Sequence, residues 1–348
     1  MTGSTNAQNL TQTPRSRAIL LVAMAAGGLG PFVQAQAPPA AAPAAAPAPE
    51  SVSLETSDQV NINIVYYPAV VQPAAPATPP PAVPVVMLLH DLNGSNESLV
   101  GLAKSRQKRG FAVVVPDLRG HGDSTTRTGI DALLEPDDLT KADFEAMVLA
   151  RGGQIRAQAT NRGDVEVVRG CIREKASSGV LDMKRFFVVG SGAGAAIAAA
   201  WTVEDATWRD GTSGPQGREV RGLVMVSPTQ TVRGFSMAST LFAPKNPAAD
   251  HVKRSVPILV IAGENESDAT RLIKQLKAAR PSQWYEKLAS EASPTPNPKK
   301  KEDSPTTLFI FQLLTSEQGD GLATLSGPSG DVAGLIAGFM ATVAPAGK

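Results

Sequence analysis

Between residues 51 and 345 the chain alternates short apolar runs with amphipathic stretches. Residues 51–55 and 60–67 switch between apolar and polar positions on either side of a polar turn, which predicts an antiparallel β-hairpin. Residues 85–89 are continuously apolar, as a strand covered on both faces should be, and 112–115, 186–189, 222–226, 257–261 and 308–313 repeat that pattern. Helical spacing fills the gaps. Leu99, Leu102 and Ala103 share a face of 98–109, and Val165, Val168, Cys171 and Ile172 share a face of 164–178. An Ala-rich helix is predicted at 193–201, a short one at 141–150, and further helices at 268–279 and 331–343. Strands alternating with helices predict an α/β fold: a mostly parallel sheet with helices on both faces and an N-terminal β-hairpin. Ligands of such sheets bind beyond the carboxyl ends of the strands.

The two ends of the chain differ from its middle. Half of the 28 prolines fall in the first 84 residues. Residues 1–17 carry Arg15 and Arg17 and no acid, 18–33 are mostly small and apolar, and Ala35-Gln36-Ala37 forms a small-x-small site. That order predicts a signal peptide over 1–37, cut after Ala35 or Ala37, and an exported protein of the periplasm, cell envelope or medium. Retained, the same leader would be a membrane anchor, though it is short for a span. Residues 38–50 read as a Pro/Ala-rich linker and 51–345 as the folded domain. Residues 73–84 and 293–306 read as Pro-rich loops of that domain.

Charge and cysteine content narrow the chemistry. The net charge is +1, and without 1–37 it is −1, so no basic field points to nucleic acid. One cysteine, Cys171, excludes an intrachain disulfide and a Cys-based zinc site. Any histidine mechanism must draw on His90, His121 or His251.

The ends of four predicted strands carry motifs. They read His90-Asp91-Leu92-Asn93-Gly94, Pro116-Asp117-Leu118-Arg119-Gly120-His121-Gly122-Asp123-Ser124, Gly190-Ser191-Gly192-Ala193-Gly194 and Ala262-Gly263-Glu264-Asn265-Glu266. In this order and spacing, over residues 52–345, the chain resembles the α/β-hydrolase superfamily, nearest to its serine esterase, lipase and serine aminopeptidase-like members. The resemblance implies the α/β-hydrolase fold, no cofactor and a small-molecule or acyl ligand.

It also implies a catalytic triad, and this chain departs from that triad twice. The family's nucleophile stands at the centre of G-x-S-x-G on a sharp strand-to-helix turn. Here that position is Gly192, which has no side chain. The family's histidine follows the last strand, and the positions matching it are Gln318 or, two residues on, Asp320. Glutamine cannot shuttle a proton. The acid position matches Glu266, with Asp268 as its neighbour. The oxyanion hole uses backbone N–H groups, by position those of Leu92 and Ala193. Ser191 is the one hydroxyl at the elbow, where it either acts as a displaced nucleophile or packs beneath the turn. His90 matches the family's His-Gly pair, with Asp91 in place of the glycine. His90, Asp91, Glu266 and Asp320 lack the spacing of a metal site, and none is expected.

Residues 125–163 form a loop or a lid, and 202–216 and 229–247 are long enough to shape a pocket rim. Trp201 and Trp208 fill the core or line a cavity. Two functional readings stay open, with a non-hydrolytic enzyme a third. One is an exported hydrolase-fold protein without serine-hydrolase activity that binds a ligand or serves a structural role. The other is an active esterase or peptidase with an atypical nucleophile. A membrane partner follows only from an uncleaved leader.

Overall fold

A computed structural model describes residues 45–71, 81–130, 133–152, 155–212, 214–288, 305–313 and 331–344. The leader, most of the linker, residues 73–80 of the 73–84 loop, most of 293–306, and Gln318 and Asp320 lie outside the described residues.

The main sheet contains β1 (Glu50–Glu55), β2 (Asn61–Tyr67), β3 (Val83–Leu89), β4 (Ala112–Pro116), β5 (Leu181–Ser191), β6 (Val220–Val226), β7 (Ile258–Gly263), β8 (Trp284–Leu288) and β9 (Leu308–Leu313). Their order across the sheet is β1-β2-β4-β3-β5-β6-β7-β9-β8. β1 and β2 form the antiparallel N-terminal hairpin, with Val52 opposite Ile64. β2 meets β4 antiparallel, and every later pairing is parallel. This is the α/β-hydrolase fold.

The apolar runs are continuous because both faces of the sheet are covered. Alternate residues feed two cores. Val85, Met87 and Leu89 of β3 pack on one side with Val188 of β5 and Met225 of β6. Val86 and Leu88 pack on the other with Val189 and Val226. The first core is closed by α2 (Lys141–Val148), α3 (Asp164–Ser177), α4 (Ala193–Thr207), α5 (Met237–Leu241), α6 (Pro247–Ser255) and α7 (Ser267–Ala279). The second is closed by α1 (Val100–Lys108) and α8 (Val332–Val343).

Several elements differ in extent from the sequence pattern. α1 starts after a 3-10 turn at Asn96–Leu99, and α4 runs on to Thr207, through part of the segment read as rim. β8 lies at the edge of the sheet, where only Glu286 of its five residues is buried; an edge strand shows no continuous apolar run. α6 forms where no helix was predicted, although Ala248, Ala249 and Val252 recur at helical spacing, Asn246 accepts at its N-cap from Ala248 N and Ala249 N, and Pro247 opens its first turn. The 125–163 segment splits between two roles. Phe144 and Met147 of α2 are buried in the first core, and Phe144 stacks on Phe235 at 6.0 Å. Glu135 and Pro136 run beside the turn after β4.

Buried arginines join these layers. Arg156 is held by Glu166 and Asp205, and Arg169 by Glu219 at 2.7 Å. Arg280 donates from Nε, Nη1 and Nη2 to the carbonyls of Lys253, Thr307, Val252 and Val256, at 2.6–2.9 Å. It thereby fastens the end of α6 and the start of β9 to the end of α7.

Candidate functional site

The sheet reverses its winding between β3 and β5. β3 continues through α1 to β4 on one side, and β4 continues through α3 to β5 on the other. The crevice beyond such a reversal is where open α/β sheets bind ligands. The two strands that border it end in register, with Leu89 opposite Gly190. The residues that follow them, Asp91 and Gly192, are therefore brought together from positions 101 apart in the chain.

Gly192 is the N-cap of α4, with φ +53 and ψ −116. That left-handed turn is costly for a residue with a side chain and open to glycine. Its backbone is well fixed: Gly192 N donates to Val226 O at 3.0 Å, and its carbonyl accepts from Ala195 N and Thr229 N at 3.2 Å. The elbow thus has its turn and its helix. It has no room for a side chain, because a Cβ built on Gly192 would overlap the carboxylate of Asp91.

That carboxylate is held in place. Asp91 Oδ1 accepts from Leu92 N at 2.7 Å and from Ala193 N at 2.7 Å. By position these are the two amides expected to form an oxyanion hole, and they converge here on one oxygen of the chain's own side chain. No described residue donates to Oδ2. Asp91 is partly exposed. Its burial pushes the carboxyl pKa up, against the lowering effect of the two amides and of His121.

The histidines behind the site are structural in their bonding. His90 has no exposed surface. Its Nε2 accepts from Leu118 N at 3.0 Å, so the proton is on Nδ1, which donates to Asp91 O at 2.7 Å. Burial lowers its pKa to about 4 and keeps the ring neutral. His121 repeats the arrangement, with Nε2 accepting from Asn93 N at 3.3 Å and Nδ1 donating to Arg119 O at 2.9 Å. The two rings lie 5.1 Å apart. With both nitrogens of each engaged, neither ring is free to act as base or ligand. Among the described residues no three His, Cys, Asp or Glu side chains are arranged to hold a metal ion. His251 lies on α6, half-buried.

The remaining candidates are placed as follows. Ser191 ends β5 with no exposed surface. Glu266 turns its Oε1 to Ser227 Oγ at 2.9 Å and to Gly263 N at 3.0 Å. It fastens the end of β6 to the turn after β7, and Ser227 sits there at φ +43. Asp268 accepts from Gln230 N at 2.9 Å and holds the 229–236 segment to α7. Trp201 is fully buried in the first core, and Trp208 is half-buried beside Arg156. On the far side of the oxyanion loop lies a cavity of about 510 Å3, lined by Asn93, Ser95, Ser98, His121, Thr125 and Glu135.

Sequence reasoning missed the contact between Asp91 and the hole. The available signal was a pair of complementary departures from the family pattern: a carboxylate gained at 91, where the family has glycine, and a side chain lost at 192.

Among solved structures the chain is similar to DcsB in complex with a substrate analogue, at 14% identity and TM-score 0.49, over 86% of this chain and 100% of that one. It is also similar to two fungal esterases from Rhizomucor miehei, at 14% identity and TM-score 0.48, over 85% of this chain and 83% of that one. An alpha-beta serine hydrolase homologue from Coxiella burnetii matches at 14% identity and TM-score 0.42, over 85% of this chain and 97% of that one. No curated protein sequence matches the chain. The sequence profile of the alpha/beta hydrolase family matches residues 86–318, which takes in the oxyanion loop, the elbow and the turn after β7. The chain belongs to the alpha/beta hydrolase family.

Proposed function

We propose that this protein is an exported member of the family that does not carry out acyl-serine chemistry and uses the crevice between β3 and β5 to bind a small molecule. The observation that carries this reading is the Asp91 carboxylate lying against Gly192 and taking both oxyanion-hole amides. Acyl transfer needs an attacking group at the elbow and a vacant pair of donors for the oxygen that becomes negative. Here the elbow residue is glycine and the donors are engaged. Ser191, the nearest hydroxyl in sequence, is fully buried at the end of β5, so a substrate carbonyl has no approach to it. Export rests on the leader at 1–37.

The test uses the mature protein with a fluorophosphonate probe and a panel of short-chain nitrophenyl esters. The expected result is no covalent labelling and no turnover above the rate in buffer. Labelling that disappears in Ser191→Ala would overturn the reading in favour of a displaced nucleophile. Cell fractionation with N-terminal sequencing tests export: a mature chain starting after Ala35 or Ala37 supports it, and an intact Met1 in the cytoplasm opposes it.

A further inference from the structure

The oxyanion hole at the elbow is assembled, and its occupant is anionic. Leu92 N and Ala193 N come from two different elements and converge at 2.7 Å each on a single oxygen. That is the geometry a pair of donors adopts around the oxygen of a bound oxyanion. The occupant is tethered by one Cα–Cβ bond to the loop that supplies one of the donors. It engages the hole through Oδ1 alone, Oδ2 has no partner among the described residues, and the side chain is partly exposed. A half-engaged, partly exposed side chain at a strand end can leave by rotation about its own χ1, with no movement of β3, β5 or α4.

We propose that Asp91 is a tethered plug: its carboxylate holds a working oxyanion site closed, and an external oxyanion, a carboxylate or sulfonate of a small molecule, binds to the same two amides when that side chain swings away. This rests on the reading that the elbow does no acyl-serine chemistry, and it names the ligand class of that same crevice. The tether sets the competition. An intramolecular carboxylate presents itself at an effective concentration in the millimolar range or above, so a free ligand must outcompete it. Protonation favours the ligand, because a neutral carboxyl is a weaker acceptor than a carboxylate. The titratable groups on the elements around the plug are His90 on its own loop, His121 and Asp117 on the turn after β4, and Glu264 and Glu266 on the turn after β7. Both histidines have their ring nitrogens engaged by backbone groups, and the first turn of α4 contains no acid. Burial already pushes the Asp91 carboxyl pKa up from its ordinary value.

The probe is 1-butanesulfonate, which stays ionised while carboxylates titrate. The mature full-length chain is titrated with it, and the backbone amide resonances of Leu92 and Ala193 are followed by NMR. Asp91→Ala should bind at least about ten-fold more tightly than the native protein at pH 7, with saturable shifts of both amides. Lowering the pH to 5 should strengthen binding to the native protein and leave Asp91→Ala unchanged. Asp91→Asn, which keeps the side chain's shape and an acceptor oxygen, should fall between the two. Equal affinities for native protein and Asp91→Ala, or no response at the two amides of a folded Asp91→Ala, would overturn the plug. If Asp91→Ala does not fold, Asp91→Asn and the pH series of the native protein decide by the same criteria. Failure here leaves the absence of acyl-serine chemistry standing, whereas fluorophosphonate labelling of Ser191 would overturn that reading and leave the amide response to be judged separately.

Discussion

Two neighbouring turns at the carboxyl edge of the sheet are built with one device and finished differently. In the turn after β4, the Asp117 carboxylate lies where a Cβ on Gly122 would be, and Gly122 has φ +49. At the elbow after β5, the Asp91 carboxylate lies where a Cβ on Gly192 would be, and Gly192 has φ +53. In both, a carboxylate gathers backbone amides and a left-handed glycine makes the room. Asp117 is completed: fully buried, it accepts from Asn96 N at 2.6 Å, Asn96 Nδ2 at 2.7 Å and Asp123 N at 3.0 Å, through both oxygens. Asp91 is partly exposed and accepts through one oxygen. A carboxylate saturated with donors and sealed from water is a fixed part of the fold. One that is half-satisfied and partly exposed is the kind that the proposed exchange requires.

The sharpest way to break this comparison is to delete each carboxylate. Asp117→Ala removes a fully buried carboxylate that accepts three hydrogen bonds and should cost about 4 kcal/mol in urea-unfolding free energy, whereas Asp91→Ala removes a partly exposed carboxylate that accepts two and should cost about 1–2 kcal/mol. Equal costs would remove the distinction.

His90 joins the two turns, through Leu118 N on one side and Asp91 O on the other. Its pKa falls from the ordinary 6.5 to about 4 in the folded protein. The native state therefore binds fewer protons than the unfolded chain between those values, and stability that is whole above pH 6.5 declines as the pH falls toward 4. The native protein should lose about 3 kcal/mol over that window from this group. His90→Gln, which can still accept from Leu118 N, should lose correspondingly less. Parallel pH profiles for the two proteins would mean that the ring is not held neutral.

A smaller effect tests the packing of Asp91 on Gly192. Gly192→Ser should cost about 2 kcal/mol, from overlap with the carboxylate and from φ +53. Adding Asp91→Gly should recover part of that cost, with a coupling of about 1 kcal/mol in a double-mutant cycle. Strict additivity would place the two residues apart. The same pair bears on activity: Gly192→Ser with Gln318→His is expected to stay silent toward nitrophenyl esters until Asp91→Gly reopens the hole. The smallest effect is that of Asp91→Asn. Burial disfavours the charge that this change removes, so stability at pH 7 should rise slightly, with the gain shrinking as the pH falls and the native carboxyl protonates.

The fold was legible because its strands are covered on both faces. β3, β4, β6 and β7 stand out as apolar runs that no exposed segment would sustain. β8 did not stand out because an edge strand with Glu286 and Lys287 at its centre shares that pattern with loops. At the site, the glycine at the centre of the elbow motif, Gly192, stands in the sequence itself. The contact of Asp91 with Gly192 could not be read there, since it depends on two strand ends lying in register 101 residues apart, and local pattern is blind to that distance. The bonding of Ser227 to Glu266 was hidden for the same reason: Glu266 reads as the match to the family's acid, and Ser227 carries no signal until β6 and β7 are laid side by side.

Arg280 has a consequence for chain connectivity. Its guanidinium clasps the carbonyls of Val252, Lys253, Val256 and Thr307, and Gln283 O receives both Thr307 N and Leu308 N at 3.0 Å. The last strand is thus anchored to α6 and α7 independently of the peptide that leads from β8 to β9. The covalent link through 289–304 is redundant for holding β9 in place. A reporter domain spliced into that stretch should leave the sheet assembled, with β9 held by Arg280, by Gln283 and by its pairing with β7 and β8.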